Sequence, residues 1–452
     1  MPRLVSVALT LALFVVVPPA SAQDRPVSQV LADLIAEAAR IGGPYLPFVT
    51  GHETHFANGP QIATAPAALN LSLGLQLATF PMGPTSGGMV FSRDGSGDSM
   101  HEAFGTSYSP RGLPLGRGHY GTAITFQNTT FGSLDGVDLR GGGINFLFGH
   151  SLCCPPGVND VLQETVYLHL NRKVTSFVLD YGVTNRLDIG FVVPVVQMAM
   201  TGRVLSRLLR VTTTQAAPTH VFDQLNRTSR TTYLDVDLNR ELPPVDYGVP
   251  GRTARGIGDI VGRAKVTLVQ TKSSGLAASV DVAFPTGSSE NFLGTGSLRV
   301  KPGVAWSGVF GRVSPHVSGA YTYSQGKISS ALQDAYPAQT LDLTVPREIE
   351  FAAGVDAGVA PRVTLVAEAV GRRVLDVQRF ALGQTVFSGV DAAAGTDLIA
   401  NGRGDLSQMF VTVGGRFNLG GTVFANAHVF FPVSVDGLKP NASAAFSLNY
   451  GF

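Results

Sequence analysis

From about residue 118 to residue 452, apolar residues return at every second position. In GHYGTAITFQN, Tyr120, Ile124 and Phe126 share one parity and Gly121, Ala123, Thr125 and Gln127 the other. GLAASVDVAFPTG sets Leu276, Val280, Val282 and Phe284 against Ser279 and Asp281. EIEFAAGVDAGV sets Ile349, Phe351 and Val355 against Glu348, Glu350 and Asp356. A β-strand points successive side chains to opposite faces, so each segment is a strand with one apolar face and one small or polar face. In a soluble sandwich the apolar face is the core; in a transmembrane barrel it meets lipid and the polar face lines the lumen. Alternation alone fits both.

The connections separate the two. About twelve strands are expected, near 118–132, 162–182, 186–202, 256–271, 275–287, 297–310, 312–325, 347–359, 361–373, 406–419, 421–433 and 441–452. The turns after the second, fourth, sixth, eighth and tenth are tight, whereas those after the first, third, seventh and ninth are long. The third reaches across 203–255. Short turns at one end and long loops at the other are the habit of a bacterial outer-membrane barrel, with both termini at the short-turn, periplasmic end. The N-terminus agrees: MPR is a basic start, VSVALTLALFVVV an apolar stretch, and Ala20-Ser21-Ala22 a small-residue cleavage site. Residues 1–22 are therefore expected to be a secretory signal peptide. Beyond them, no segment has the length of a membrane-spanning helix, and without a helix only a closed barrel satisfies every backbone group in hydrocarbon. A charged fraction of 14% and 53 glycines fit that environment better than water. The expected fold is all-β, a transmembrane antiparallel barrel of about 12 strands over 118–452.

The segment 23–117 is expected to be a plug or a periplasmic piece. PVSQVLADLIAEAARIG has helical spacing, giving a short amphipathic helix near 27–41. LNLSLGLQLATF, with leucine at 69, 71, 73, 75 and 77, reads as a strand. PMGPTSGGMVFSR then turns at Gly87 and Gly88, and a further hairpin here would give 14 strands. At the other end, Phe446, Leu448, Tyr450 and Phe452 alternate to the last residue. This resembles the signal that the barrel-assembly machinery reads, making that machinery and outer-membrane lipid the expected partners.

The lumen parity collects charges. Arg263, Lys265, Asp281, Arg299 and Lys301 stand on the fourth to sixth strands. Glu348, Glu350, Asp356 and Glu368 stand on the eighth and ninth, and His316, Arg416 and His428 also face inward. These lumen-lining candidates form either ion pairs that neutralise buried charge or opposed fields that orient a polar solute. A net charge of +1 without a basic run argues against nucleic acid. Two adjacent cysteines, Cys153 and Cys154, make no disulfide framework, and no cofactor or metal set is evident. His316 and Ser318 share a face as a base and nucleophile would, in a pattern similar to the His-x-Ser-Asn-Gly of outer-membrane phospholipases. Gly319 stands where the Asn would be, the pair turns away from lipid, and no third group to orient the histidine is evident. GIGD at 256–259 precedes a strand rather than a helix, so it is no phosphate cradle.

SFVLDYGVTNRLDIGFVVPVV (176–196), GIGDIVGRAKVTLV (256–269) and GLAASVDVAFPTGSSENFLGTGS (275–297) occur in that order. Together they resemble the outer-membrane family named for the meta-cleavage pathway of phenol degradation, with its YG-TNR-D-G--VP hairpin, G-GD strand start and PTG----LGTG loop. The match spans about 176–325 well and the rest of the barrel more loosely. The resemblance implies a barrel distantly similar to long-chain fatty-acid and aromatic-hydrocarbon transporters, acting in passive uptake of small hydrophobic or aromatic compounds. The alternatives are a barrel that conducts nothing and, further off, an outer-membrane lipid hydrolase. The motifs also have local roles: Gly182 to Asn185 make a tight turn, and Asp188 shares lumen parity with Asp180 if a bulge lies near Asn171–Lys173.

Overall fold

The structure is a computed structural model that describes residues 26–31, 44–45, 61–80, 86–94, 97–107, 109–141, 143–149, 160–210, 221–222, 232–235, 240–241, 245–328, 344–385, 395–420 and 422–451. The expected signal peptide, Cys153, Cys154 and Phe452 lie outside these. Twelve antiparallel strands close into a barrel. In chain order they are β1 (Tyr120–Leu134), β2 (Asp160–Gly182), β3 (Leu187–Arg210), β4 (Val245–Ile257 continued by Ile260–Gln270), β5 (Ser274–Phe284) and β6 (Leu298–Gly308). There follow β7 (Val313–Gln325), β8 (Glu348–Ala360), β9 (Val363–Thr385), β10 (Gly395–Gly420), β11 (Val423–Val435) and β12 (Leu438–Pro440 continued by Ser443–Gly451). Closure comes from β12 on β1, in register from Ala444 with Asn128 to Gly451 with Gly121.

The parity of the sequence is the parity of the wall. Outward-facing Phe126, Phe191, Val304, Phe351 and Phe446 are exposed, while inward-facing Gln127, Asp281, Glu348, Asn449 and Thr125 are buried. Eleven residues in β5, at about 3.3 Å each and a tilt of about 40°, project to about 28 Å. That height matches the ~30 Å hydrocarbon core of a bilayer. β2, β3, β9 and β10, at 23–26 residues each, run well past it at the long-loop end. Strands β3, β4, β9 and β10 are thus longer than the sequence suggests, because their outer halves pair with one another after leaving the apolar belt. The register of β2 with β3 and with β1 is unbroken through Asn171, Arg172 and Lys173, so the bulge expected there does not exist. Asp180 and Asp188 still sit near one another, opposite Gly190 and Gly182 respectively.

The segment LNLSLGLQLATF is not a strand. It lies in helix α1 (Gln61–Thr79), which runs inside the barrel. From Leu69 to Phe80 every residue is buried. A helix enclosed on all sides needs no apolar stripe, so its sequence carries no helical period and the leucine alternation is incidental. Its polar residues are bonded individually: Asn70 Nδ2 donates to Ser28 O at 2.5 Å, Gln76 Nε2 to Ser72 Oγ at 2.9 Å, and Leu438 N to Gln76 Oε1 at 2.6 Å. Of the helix expected over 27–41, Val27 and Ser28 form a turn instead, residues 29–31 are helical, and 32–41 lie outside the described residues. A hairpin of Ser86–Asp94 and Gly97–Ser107 pairs only with itself among the described residues, which leaves the barrel at twelve strands rather than fourteen.

Two of the sequence motifs turn out to be one joint. Strand β4 breaks at Gly258–Asp259, and Asp259 accepts hydrogen bonds from Gly287 N (3.1 Å), Thr295 N (2.8 Å) and Thr295 Oγ1 (2.8 Å). Thr286 Oγ1 donates to Gly258 O at 2.6 Å. The G-GD and PTG----LGTG pieces therefore fasten the loop between β5 and β6 over the lumen, where Phe292 presses on α1. A Cβ at Gly74 would sit 2.7 Å from that ring, so only glycine admits it. We expect Asp259→Ala to leave buried donors unmatched and to cost about 2–4 kcal/mol. The measurement is the unfolding midpoint together with protease cleavage within 285–297; unchanged values would show that the loop is held by other contacts.

Candidate functional site

The inward charges fall into two layers. In the layer nearer the short turns, Asp356 of β8, Glu368 of β9 and Arg416 of β10 face one another with His316 of β7 and His428 of β11, all buried. Two carboxylates against one arginine would leave this layer negative. The chain preceding β1 corrects the balance. Arg111 Nη2 lies 2.9 Å from Asp356 Oδ2 and 3.5 Å from Glu368 Oε1, all three side chains having no exposure. Ser109 Oγ donates to Glu368 at 2.8 Å, and His316 Nε2 meets the same Oε1 at 3.0 Å. The third group that the sequence did not reveal beside His316 is thus Glu368. His316 is nonetheless sealed, Ser318 is half-buried beside it, and among the described residues no hydrogen bond joins the two and His316 Nδ1 has no partner.

Arg111 belongs to a strap that is keyed to the wall residue by residue. Gly112 N donates to Ser307 Oγ at 3.0 Å, and Lys265 Nζ to Leu113 O at 2.7 Å. Leu115 N donates to Asp188 Oδ2 at 3.1 Å, and Arg117 N to Asn185 Oδ1 at 3.2 Å. Lys265, a lumen candidate, therefore serves this strap and its ion pair with Asp188 (3.1 Å) rather than an open space. Gly112 lies backbone to backbone on Gly275, where a Cβ would come within 2.1 Å of the carbonyl oxygen. The segment 109–117 accordingly fills the lumen above the short turns.

The upper layer is different. Arg263 Nη2 and Asp281 Oδ2 meet at 2.6 Å, Arg299 Nη2 and Glu348 Oε1 at 2.6 Å, and Lys301 Nζ and Glu350 Oε2 at 3.1 Å. These six candidates line a cavity of about 180 Å³ beside the end of α1. Its apolar side is made by Phe80, Phe410, Val192, Val261 and Ala283. Phe80 stands edge-on to Phe410, their centroids 6.0 Å apart, and the Arg372 guanidinium lies 5.8 Å from the Phe80 centroid. Arg372 also donates to Thr79 O (2.6 Å) and Gln408 Oε1 (2.7 Å), fixing the helix end to β9 and β10.

Sequence reasoning missed Arg111, Asp259, Arg172, Arg372, Phe80 and Phe410. Arg372 follows Glu368 by four positions and Arg172 precedes Asp180 by eight, so parity alone puts both inside. Nothing comparable marks Arg111 or Phe80, whose strap and helix carry no wall period. Among the described residues no group of three or more His, Cys, Asp or Glu could hold a metal.

No protein-family model and no curated relative matches the chain. Among solved structures, an outer-membrane channel from Pseudomonas putida F1 is similar at 13% identity and a TM-score of 0.38, covering 75% of this chain and 98% of its own. The deltaS2S3 mutant of the monoaromatic hydrocarbon channel TodX is similar at 12% identity and a TM-score of 0.33, over 76% and 91%. A Pseudomonas aeruginosa FadL homologue is similar at 10% and 0.29, over 74% and 89%. All three TM-scores are below 0.5, and nothing about this chain's activity follows from them.

We expect Arg111→Met to strand two buried carboxylates and cost about 3–5 kcal/mol. Adding Asp356→Asn and Glu368→Gln should restore most of the loss, because the charges that required Arg111 are gone. Denaturant midpoints of the single and triple variants decide this; equal destabilisation in both would mean that Arg111 acts through packing.

Proposed function

We propose that this chain is a bacterial outer-membrane channel for passive passage of small solutes with an apolar or aromatic body, placed with the outer-membrane family of the phenol meta-cleavage pathway. The observation that carries the reading is the inversion of the barrel: apolar side chains exposed all around the outside and ionised ones enclosed within, beside a cavity walled half by charge and half by rings. An outward apolar belt on a closed sheet is matched to lipid, and a polar lumen to solute. In this reading residues 1–22 direct export, the short turns face the periplasm, and Phe446, Leu448, Tyr450 and Phe452 form the assembly signal. Among the described members of that signal, Phe446 and Leu448 are more than half exposed on the outer wall, as such a signal requires.

The lipid claim is tested at Val304, which is 57% exposed near the middle of β6. An exposed valine on a soluble protein accepts arginine within about 0.5 kcal/mol; in a bilayer midplane the same change costs about 2–4 kcal/mol. Val304→Arg unfolding into liposomes distinguishes the two, and a neutral result places this face in water.

The channel claim is tested by planar-bilayer conductance and liposome swelling of the full-length protein and of Phe80→Ala, which widens the passage beside α1. Conductance should rise several-fold in the variant without loss of heat-modifiable folding. Silence in both would leave a structural barrel. Deleting Phe452 should lower the yield of heat-modifiable protein in outer-membrane fractions, and a normal yield would remove it from the assembly signal.

A further inference from the structure

The short turns repeat one choice of residue. Arg186 closes the turn 183–186, Lys272 stands in 271–273, Arg312 ends 309–312 and Arg362 ends 361–362; the fifth turn, 421–422, has no charged residue. All four cations are exposed. So is Arg117 at the end of the strap, whose backbone N–H reaches Asn185 in the first turn. None of these turns contains Asp or Glu. The acids nearest in sequence, Asp188 and Asp356, face inward and are buried. Arg117, Arg186, Lys272 and Arg362 accordingly make no ion pair among the described residues. The long-loop end is built otherwise: on its outer wall Arg373 is paired with Asp405 and Arg403 with Asp376. In a chain of 33 basic and 32 acidic residues, a rim of one sign is not a reflection of composition. Its field attracts an anion from outside the chain.

The place of these cations limits what that anion is. Each follows an exposed apolar residue of the outer wall: Tyr181 before Arg186, Val269 before Lys272, Phe310 before Arg312 and Val359 before Arg362. Tyr120 and Tyr450 stand at the same end with ring centroids 6.3 Å apart, as in the aromatic girdle of a membrane barrel. The cations therefore sit where the apolar belt gives way to lipid headgroups, on side chains long enough to reach them. Neighbouring hairpins are two strand spacings apart, about 10 Å, close to the width of a phospholipid. A soluble acidic partner would require the cations gathered on one side, whereas these follow the wall around from β2 to β9. We infer that this rim binds the phosphate headgroups of anionic phospholipids in the periplasmic leaflet, one lipid to each turn cation. The assignment rests on the outer-membrane reading, which sets the orientation of the short turns.

The chain carries its own reporter. Trp306, the single tryptophan, is in register with Leu276 and Val317, four and five residues along the strands from Lys272 and Arg312. That places it about 10 Å above the two turns, at the depth of the acyl chains. The full-length protein is reconstituted in vesicles, and quenching of Trp306 by brominated phosphatidylglycerol is compared with quenching by brominated phosphatidylcholine. Phosphatidylglycerol should associate about fivefold more tightly, the factor that one Lys or Arg supplies near an anionic surface. The preference should fall toward parity in about 1 M salt, where the screening length shrinks to about 3 Å. Lys272→Gln combined with Arg312→Gln should abolish it with heat-modifiable mobility unchanged. Arg255→Gln, which removes an exposed cation on the outer wall of β4 nearer the long loops, should leave it intact. Equal quenching by the two lipids, or a preference that persists in the double variant, overturns the assignment and keeps the barrel in its membrane. No quenching by either lipid places the wall in water and removes the outer-membrane reading itself. Binding of poly-glutamate to the detergent-solubilised protein, without any lipid preference, overturns the lipid claim and turns the rim toward an acidic periplasmic polymer.

Discussion

The pairing of the last strand with the first is the interaction on which everything else rests. Until Ala444–Gly451 lies along Gly121–Asn128, the sheet has two open edges, and each exposes a row of unpaired backbone groups. In an apolar surrounding those groups have no water to turn to, so closure is obligatory rather than merely favourable. Closure at twelve strands also fixes a consequence: the interior is too wide for wall side chains to fill by themselves, as they do in barrels of about eight. The chain therefore supplies its own filling. Helix α1, the strap 109–117 and the turn at 26–31 occupy the space; Leu69 to Phe80, Ser109, Arg111, Gly112, Val27, Val30 and Leu31 are buried as fully as a soluble core.

Filling a lumen lined with charge is a different problem from filling an apolar one. Each ionised wall residue must find a partner either across neighbouring strands or on the filler. Neighbouring strands solve part of it: Arg263 and Asp281 lie in direct register on β4 and β5, and Asp281 and Lys301 on β5 and β6. Arg299 and Glu348 instead bridge past β7, a reach that only long side chains manage. Where the strands do not suffice, the filler answers with Arg111 for Asp356 and backbone N–H for Asp188. Strap and wall are consequently specified together, and the same contacts that neutralise charge fix where the strap runs.

This division explains what could be read in the sequence. The wall was legible because its outer face imposes one rule on every second residue over 118–452; all twelve strands follow it, as do inward positions such as Asp281 and Glu348. The filler obeys no such rule. LNLSLGLQLATF looks like a strand because Asn70, Ser72 and Gln76 fall on alternate positions, yet each is buried in a helix with its own partner. The G-GD and PTG----LGTG pieces were visible as motifs. Their union at Asp259 was not, since a contact between residues 28 to 36 apart leaves no periodic trace.

The two charged layers are filled differently. Both follow the same inward parity and share β8 and β9, and both hold acids and bases in similar numbers. They differ in what the filler brings. At the lower layer it brings a guanidinium, a hydroxyl and backbone N–H groups, and the layer closes with no exposure at Arg111, Asp356 or Glu368. At the upper layer it brings Ala78, Phe80 and the carbonyl of Thr79, which satisfies one donor of Arg372 and leaves Nη2 unused. Because the helix ends there in an aromatic ring and not a carboxylate, the upper layer keeps a cavity of about 180 Å³ where the lower one is filled by the strap.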